Sequence, residues 1–118
     1  MVKVLVIDED ESFGDITKRS LESGGHEAVF HAGTARTVDT LRRSDFDLVL
    51  LDVDTDGMDI VKRICGTADC AYTKVLLYSN MDIDALRAAA ARAGHVPFVQ
   101  KASTKRDLLR KVDEALSA

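Results

Sequence analysis

Short apolar segments alternate with segments of helical periodicity along this chain, and the alternation restricts the possible folds more than any other feature. The apolar segments have the length and the composition that are typical of buried strands, and the segment after His26 is the weakest of them. The pattern predicts strands at Lys3 to Ile7, His26 to Phe30, Phe46 to Leu51, Lys74 to Tyr78 and Val96 to Gln100.

Each predicted strand is followed by a predicted helix. The first helix ends at Gly24 and Gly25, residues that commonly close helices. The last helix begins at Thr104, because Thr104 and Asp107 have the spacing of a capping box. The remaining helical patterns are Thr34 to Arg43, the stretch with Ile60, Val61 and Ile64, and the stripe of Ile83, Leu86, Ala90 and Ala93 that Gly94 ends.

Strands that are apolar on both faces and alternate with helices indicate a parallel sheet covered on both sides. With right-handed crossovers, the predicted fold is α/β: a (βα)5 flavodoxin-like, doubly wound sandwich with a five-stranded parallel sheet in the order 2-1-3-4-5. The 118 residues suit a single domain, predicted over residues 1–118. In such folds the ligand site lies beyond the carboxyl ends of the central strands, so the side chains there should indicate the function.

Composition excludes several classes of function. A formal net charge of −4 argues against a general binder of nucleic acid or of anionic membranes. Apolar runs such as Leu48 to Leu51 are far too short to span a membrane, and no signal-peptide core follows Met1. The two cysteines, Cys65 and Cys70, are too few for a disulfide framework. We therefore predict a cytosolic protein.

Charged and hydroxyl side chains stand at the carboxyl ends of the predicted strands. Carboxylates that converge on one edge of a sheet repel one another, and an all-oxygen set of this kind suits Mg²⁺ with retained waters. The residues concerned are Asp8, Glu9 and Asp10 after the first strand, Asp52 and Asp54 after the third, Ser79 and Asn80 after the fourth, and Lys101 after the fifth.

Three of these residues have the chemistry that phosphoryl transfer requires. The Asp52 carboxylate can attack phosphorus and form an acyl phosphate. Lys101 supplies a cation and Ser79 a hydroxyl donor, which together can hold the oxygens of the transferring group. The sequence thus predicts phosphorylation at Asp52 with Mg²⁺ as the cofactor.

In this order and spacing, the motifs resemble those of the response-regulator receiver family, over essentially the whole chain. The resemblance implies that Asp8 and Glu9, within VIDED, are the acidic pair that binds Mg²⁺, with Glu9 as a direct ligand. It implies that Asp52, at the end of LVLLD, is the phospho-acceptor and a further ligand. Asp54 would give the metal its backbone carbonyl.

The resemblance also implies a switch. Ser79 in LLYS matches the switch hydroxyl, Lys101 in VQKAS matches the lysine of the site, and Phe98 matches the rotating aromatic residue. Phosphorylation would draw the Ser79 hydroxyl inward, Phe98 would follow, and the face made by the fourth helix, the fifth strand and the fifth helix would change.

The implied role is two-component phosphorelay signalling by a stand-alone, chemotaxis-regulator-like domain. The donor would be a histidine kinase or a phosphotransfer protein, and a downstream protein would bind the switched face. Direct contact with nucleic acid or membrane is not expected, and the chain would be a monomer or a phosphorylation-dependent dimer. It would not be an enzyme beyond its own phosphoryl transfer and dephosphorylation.

The chain departs from the family pattern at several positions. Thr55 and Asp56 replace the usual Met-Pro, and helix three is expected to be trimmed. Asn80 stands where a small residue is common, and Ala102 replaces a proline that usually follows the lysine. These departures leave open an alternative, a receiver-like interaction module that works without phosphorylation.

Two other motifs fit less well. The segment Asp52 to Gly57 copies the first half of an EF-hand loop, but Arg63 occupies the twelfth position, where a bidentate glutamate belongs. Asp52 and Asp54 also form the DxD pair of haloacid-dehalogenase-type phosphatases, which need a larger domain. A hydrolase is therefore the weakest of the three functional hypotheses.

Overall fold

The computed structural model describes residues 2–32, 46–52, 74–92 and 95–117. The predicted second helix, the predicted third helix and the loop that holds Asp54 lie outside these residues. The described strands are β1 (Lys3–Ile7), β2 (Glu27–His31), β3 (Leu48–Asp52), β4 (Lys74–Ser79) and β5 (Phe98–Gln100), and the described helices are α1 (Glu11–Ser23), α2 (Ile83–Arg92) and α3 (Lys105–Ser117).

The five strands form one parallel sheet in the order β2-β1-β3-β4-β5, which confirms the predicted topology. The register pairs Ile7 with Leu51 and Asp52 with Tyr78, so the ends of β1, β3 and β4 are level with one another. The residues that follow these strands therefore share one edge of the sheet.

The sheet has an apolar core on each face, because successive side chains of a strand point to opposite sides. On one face, Val6, Leu50 and Tyr78 pack with residues of α1 and α3. On the other face, Leu51 and Leu77 pack with residues of α2. β1 from Val4 onward and the whole of β3 are buried, as expected for central strands of a doubly wound sheet.

The helices begin and end at residues that satisfy their free backbone groups. Asp10 Oδ1 accepts from Phe13 N at 3.1 Å at the start of α1, and Gly25 follows that helix with a φ of 88°. Thr104 Oγ1 accepts from Asp107 N at 3.1 Å, as the capping pattern predicts for α3. Local sequence signals thus fix the ends of the two helices that flank one face of the sheet.

α1 lies very close to β2 at Gly14. A Cβ atom at this position would overlap the ring of Phe30, so only glycine permits this approach of the helix. The contact brings α1 close to β2, on the face of the sheet where Phe13 and Phe30 pack against the same core.

β1 has its predicted bounds, and the other strand boundaries differ from the predictions by no more than two residues. β3 and β5 each begin two residues later than predicted, β5 at Phe98 rather than Val96. Pro97 precedes it and accepts from Leu77 N through its carbonyl at 3.0 Å, as a residue without an N–H can. Within the described residues, no helix is long and apolar enough to cross a membrane.

Candidate functional site

Three charged side chains from different strands form a buried cluster at the carboxyl edge of the sheet. Lys101 Nζ lies 3.1 Å from Asp8 Oδ2 and 3.0 Å from Asp52 Oδ2. The side chains of Asp8, Asp52 and Lys101 are only 1%, 4% and 5% exposed. One ammonium group therefore lies between two carboxylates with little access to water.

The sheet positions each member of this cluster. Asp8 directly follows β1, Asp52 is the last residue of β3, and Lys101 directly follows β5. Lys101 N donates to the carbonyl of Ser79 at 2.8 Å, which continues the pairing of β5 with β4 past the end of the strand. All peptide bonds of the described residues are trans, and the lysine reaches both carboxylates although Ala102 follows it.

Asp8 accepts hydrogen bonds on both of its oxygens. Oδ1 accepts from Asp10 N at 2.9 Å, and Oδ2 accepts from the hydroxyl of Tyr78 at 2.7 Å. Burial alone would raise the pKa of Asp8, but these bonds and the contact with Lys101 outweigh burial and leave the pKa below its usual value of 3.8. Asp8 is therefore ionised at neutral pH.

The ammonium group of Lys101 contacts two aromatic rings as well as the two carboxylates. Its Nζ lies 5.0 Å from the ring centroid of Phe13 and 5.0 Å from that of Tyr78. Burial would lower the pKa of Lys101, but the hydrogen bonds to Asp52 and Asp8 raise it above its usual value of 10.5. Burial and the bond to Asp8 raise the pKa of the Tyr78 hydroxyl, which stays a donor.

Ser79 is fully buried at the same edge, in the last position of β4. Its Oγ accepts from Met81 N at 3.0 Å. The side chain at the start of α2 is that of Asp82, whose Oδ1 accepts from Ala85 N at 3.0 Å. Asp82 rather than Ser79 therefore caps this helix.

The other predicted site residues are more dispersed. Phe98 is half-buried in β5 and packs against the core on the α2 side. Glu9 and Asn80 are exposed. Asp54 lies outside the described residues, so its predicted carbonyl contact with a metal is not placed.

The predicted Mg²⁺ would be bound by oxygen atoms of the carboxylates at this edge of the sheet. Among the described residues, no group of three or more histidine, cysteine, aspartate or glutamate side chains could hold a metal ion. Mg²⁺ commonly uses only one or two protein carboxylates and takes its other ligands from water and phosphate. Asp8 and Asp52, with Glu9 next to Asp8 in the chain, meet that smaller requirement.

Sequence reasoning missed two residues of the site, Phe13 and Tyr78. Both were assigned to elements, Phe13 to a helix and Tyr78 to a strand, without a role in chemistry. The available signal was the Tyr78 hydroxyl, because a tyrosine in a buried strand needs a hydrogen-bond partner. The partner, Asp8, is 70 residues away in the chain, and only the sheet brings the two together.

The chain is similar to known proteins over nearly its whole length. A profile of the response regulator receiver domain family matches residues 4–113. The chain is 29% identical over 106 residues to the sensory/regulatory protein RpfC of Xanthomonas campestris pv. campestris, which is 85% of this chain and 14% of that protein. It is 25% identical over 114 residues to the nisin biosynthesis regulatory protein NisR of Lactococcus lactis subsp. lactis, which is 94% of this chain and 48% of that protein.

A solved structure extends the similarity to the fold. The response regulator from Thermotoga maritima is 26% identical and superimposes with a TM-score of 0.87 over 100% of this chain and 99% of that one. The chain therefore spans half or less of these two curated relatives but nearly all of this solved structure.

Proposed function

The chain belongs to the response regulator receiver domain family of two-component signalling, and from this premise we propose that Asp52 accepts a phosphoryl group from a histidine kinase or a phosphotransfer protein. The observation that carries the proposal is the position of Lys101 between Asp8 and Asp52. A buried ammonium group beside the acceptor can neutralise charge that develops on a transferring phosphoryl group.

The proposed reaction needs little beyond positioning. An oxygen of Asp52 attacks phosphorus, the bond from phosphorus to the donor nitrogen breaks, and the electron pair leaves with that nitrogen. Lys101 stays charged and contacts the phosphoryl oxygens, while Asp8 keeps the lysine in place. Asp8, Glu9, Asp52 and the Asp54 carbonyl would hold Mg²⁺, which would supply further positive charge to the site.

We further propose that Ser79 and Phe98 form the switch. The buried Ser79 hydroxyl would gain a charge-assisted hydrogen bond only when Asp52 is phosphorylated, which biases an equilibrium between two arrangements. Phe98 is half-buried and packs against the core on the α2 side, and its ring would follow the hydroxyl. The surface of α2, β5 and α3 would then present a different face to a downstream protein.

The remaining parts of the proposal concern the whole chain. We propose that residues 1–118 act as one receiver domain in the cytosol, as a monomer or a phosphorylation-dependent dimer, without direct contact with nucleic acid. The chain itself would catalyse only its own phosphoryl transfer and dephosphorylation.

The test is phosphorylation by a small-molecule donor. The protein is incubated with Mg²⁺ and acetyl phosphate, and the mass gain of one phosphoryl group is followed by intact-protein mass spectrometry. Wild-type protein should be modified, and Asp52→Asn should not. Asp15→Asn is the matched control, because it makes the same chemical change at an exposed position of α1 and should leave modification intact.

Beryllofluoride provides a second measurement on the same proteins. It should raise the melting temperature of wild-type protein but not of Asp52→Asn. If wild-type protein showed neither the mass gain nor the shift, and Asp52→Ala retained partner binding, the phosphorylation-independent interaction module would replace the present proposal. The exposed Asn80 beside Ser79 is the feature that favours the phosphorylation-independent interaction module.

A further inference from the structure

Two aromatic rings that come from different elements lie beside the ammonium group of Lys101. Phe13 lies on α1 and Tyr78 on β4, and their ring centroids are 6.0 Å apart with an angle of 32° between the planes. The ammonium nitrogen is 5.0 Å from each centroid, within the range of cation–π attraction. We call these two rings the aromatic clamp.

A lysine needs such support more than most cationic residues do. Its ammonium group is carried on a flexible four-carbon stem and has no fixed fork geometry. The turn that carries Lys101 continues into Ala102 and Ser103, and no proline restricts it. The bond from Lys101 N to the Ser79 carbonyl holds the backbone, and the rings and the two carboxylates surround the end of the flexible side chain.

Tyr78 links the clamp to the acidic residues. Its hydroxyl donates to Asp8 Oδ2, the same oxygen that Lys101 contacts, and its backbone is paired in register with Asp52. The ring of Tyr78 thus faces the cation while its hydroxyl holds one of the anions. Phe13 can provide only the ring.

We propose that Phe13 and Tyr78 are positioning residues that hold the Lys101 ammonium group against Asp52 for phosphoryl transfer. The effect of the two rings on phosphoryl transfer rests on the proposed function. Their contact with the Lys101 ammonium group does not. The two can therefore be tested by separate measurements.

The first measurement is made on unmodified protein. Protons above the face of an aromatic ring resonate upfield, so the Hε resonances of Lys101 should lie upfield of those of exposed lysines in the NMR spectrum. Phe13→Leu should move them downfield, whereas Tyr78→Phe, which keeps the ring, should leave most of the shift. Phe13→Met is a second variant for use if Phe13→Leu does not fold.

The second measurement is the rate of Asp52 phosphorylation by acetyl phosphate at saturating Mg²⁺. Loss of the Phe13 ring should lower this rate on the order of tenfold, because small displacements of a catalytic group are costly. In a Lys101→Met background the same change should have no further effect, because the group that the ring positions is absent. An independent structural defect would slow both backgrounds equally.

The chain offers a matched control. Lys3 Nζ lies 4.9 Å from the ring centroid of the buried Phe46, away from the site. Phe46→Leu removes the same kind of lysine contact and should leave the phosphorylation rate unchanged.

The proposal is overturned if Phe13→Leu leaves the Lys101 resonances in place. It is also overturned if the double variant Phe13→Leu/Lys101→Met loses rate by the product of the two single losses. A wild-type protein that is not phosphorylated at all would instead overturn the proposed function, and the NMR measurement would still decide whether the clamp exists.

Discussion

Replacement of Lys101 by methionine should strongly destabilise the folded protein. The change keeps the length of the side chain and its packing against Phe13 and Tyr78, but it removes the ammonium group from between Asp8 and Asp52. Two buried carboxylates would then face each other, and the charge of the cluster would change from −1 to −2.

The contact distances set the magnitude. At 3.0 and 3.1 Å, each ammonium–carboxylate contact is worth about 5 kcal/mol at an effective dielectric constant of about 20. The desolvation of the buried lysine offsets much of this attraction, and a net loss of about 3–5 kcal/mol is typical when one partner of a buried pair is removed. Uptake of a proton by one carboxyl group limits the loss, because close carboxylates cannot both remain ionised without cost.

Urea denaturation at pH 7 measures the effect. With a slope of about 2 kcal/mol per molar urea, the unfolding midpoint should fall by about 2 M. Lys105→Met is the control, because Lys105 is exposed at the start of α3 and its removal should have little effect. The double variant with Asp52→Asn should recover a large part of the loss, since it returns the charge of the cluster to −1.

Two results would refute this reasoning. Lys101→Met could unfold at the wild-type midpoint, or Asp52→Asn could add its own destabilisation to that of Lys101→Met instead of relieving it. Either result would mean that the two carboxylates are neutral or well hydrated without the lysine.

Three further predictions concern stability. The unfolding free energy should decrease in acid as pH falls through the lowered pKa of Asp8, below 3.8, and in alkali as pH rises through the raised pKa values of Lys101 and Tyr78. Denaturation across pH should show both decreases, and Lys101→Met should weaken the alkaline decrease but leave the part that comes from Tyr78. Tyr78→Phe should cost about 1.5–3 kcal/mol in urea denaturation, because a carboxylate loses a buried hydrogen bond, and an unchanged midpoint would contradict this. Gly14→Ala should destabilise by about 1–3 kcal/mol through overlap with Phe30, although alanine normally stabilises helix interiors; a higher melting temperature would disprove the close contact.

The sheet could be predicted because its signals are local. Each strand is a short apolar run, and alternation with helices leaves few topologies for a chain of this length. The exact ends could not be predicted, because pairing with neighbours decides them. β3 begins at Leu48 rather than Phe46, and β4 includes Ser79.

The site was predictable in part for the same reason. Asp8, Asp52 and Lys101 each follow or end a strand, so a parallel sheet brings them to one edge. The roles of Phe13 and Tyr78 depend on which face of the sheet each ring occupies and how closely α1 approaches. Those quantities arise from tertiary packing, such as the contact at Gly14, and no local pattern encodes them.

Lys101 follows the shortest of the described strands, and this has a consequence for local stability. β5 has three residues and, in the described sheet, pairs with β4 alone, whereas Asp8 follows β1 and Asp52 ends β3, central strands that are paired on both sides. Amide hydrogen exchange should therefore be faster in β5 than in β1 or β3, since fewer bonds must break for β5 to open. Each such opening would withdraw the lysine while both aspartates stay in place. The protein would spend a small fraction of its time with its central strands intact and with the Asp52 carboxylate separated from the Lys101 ammonium group.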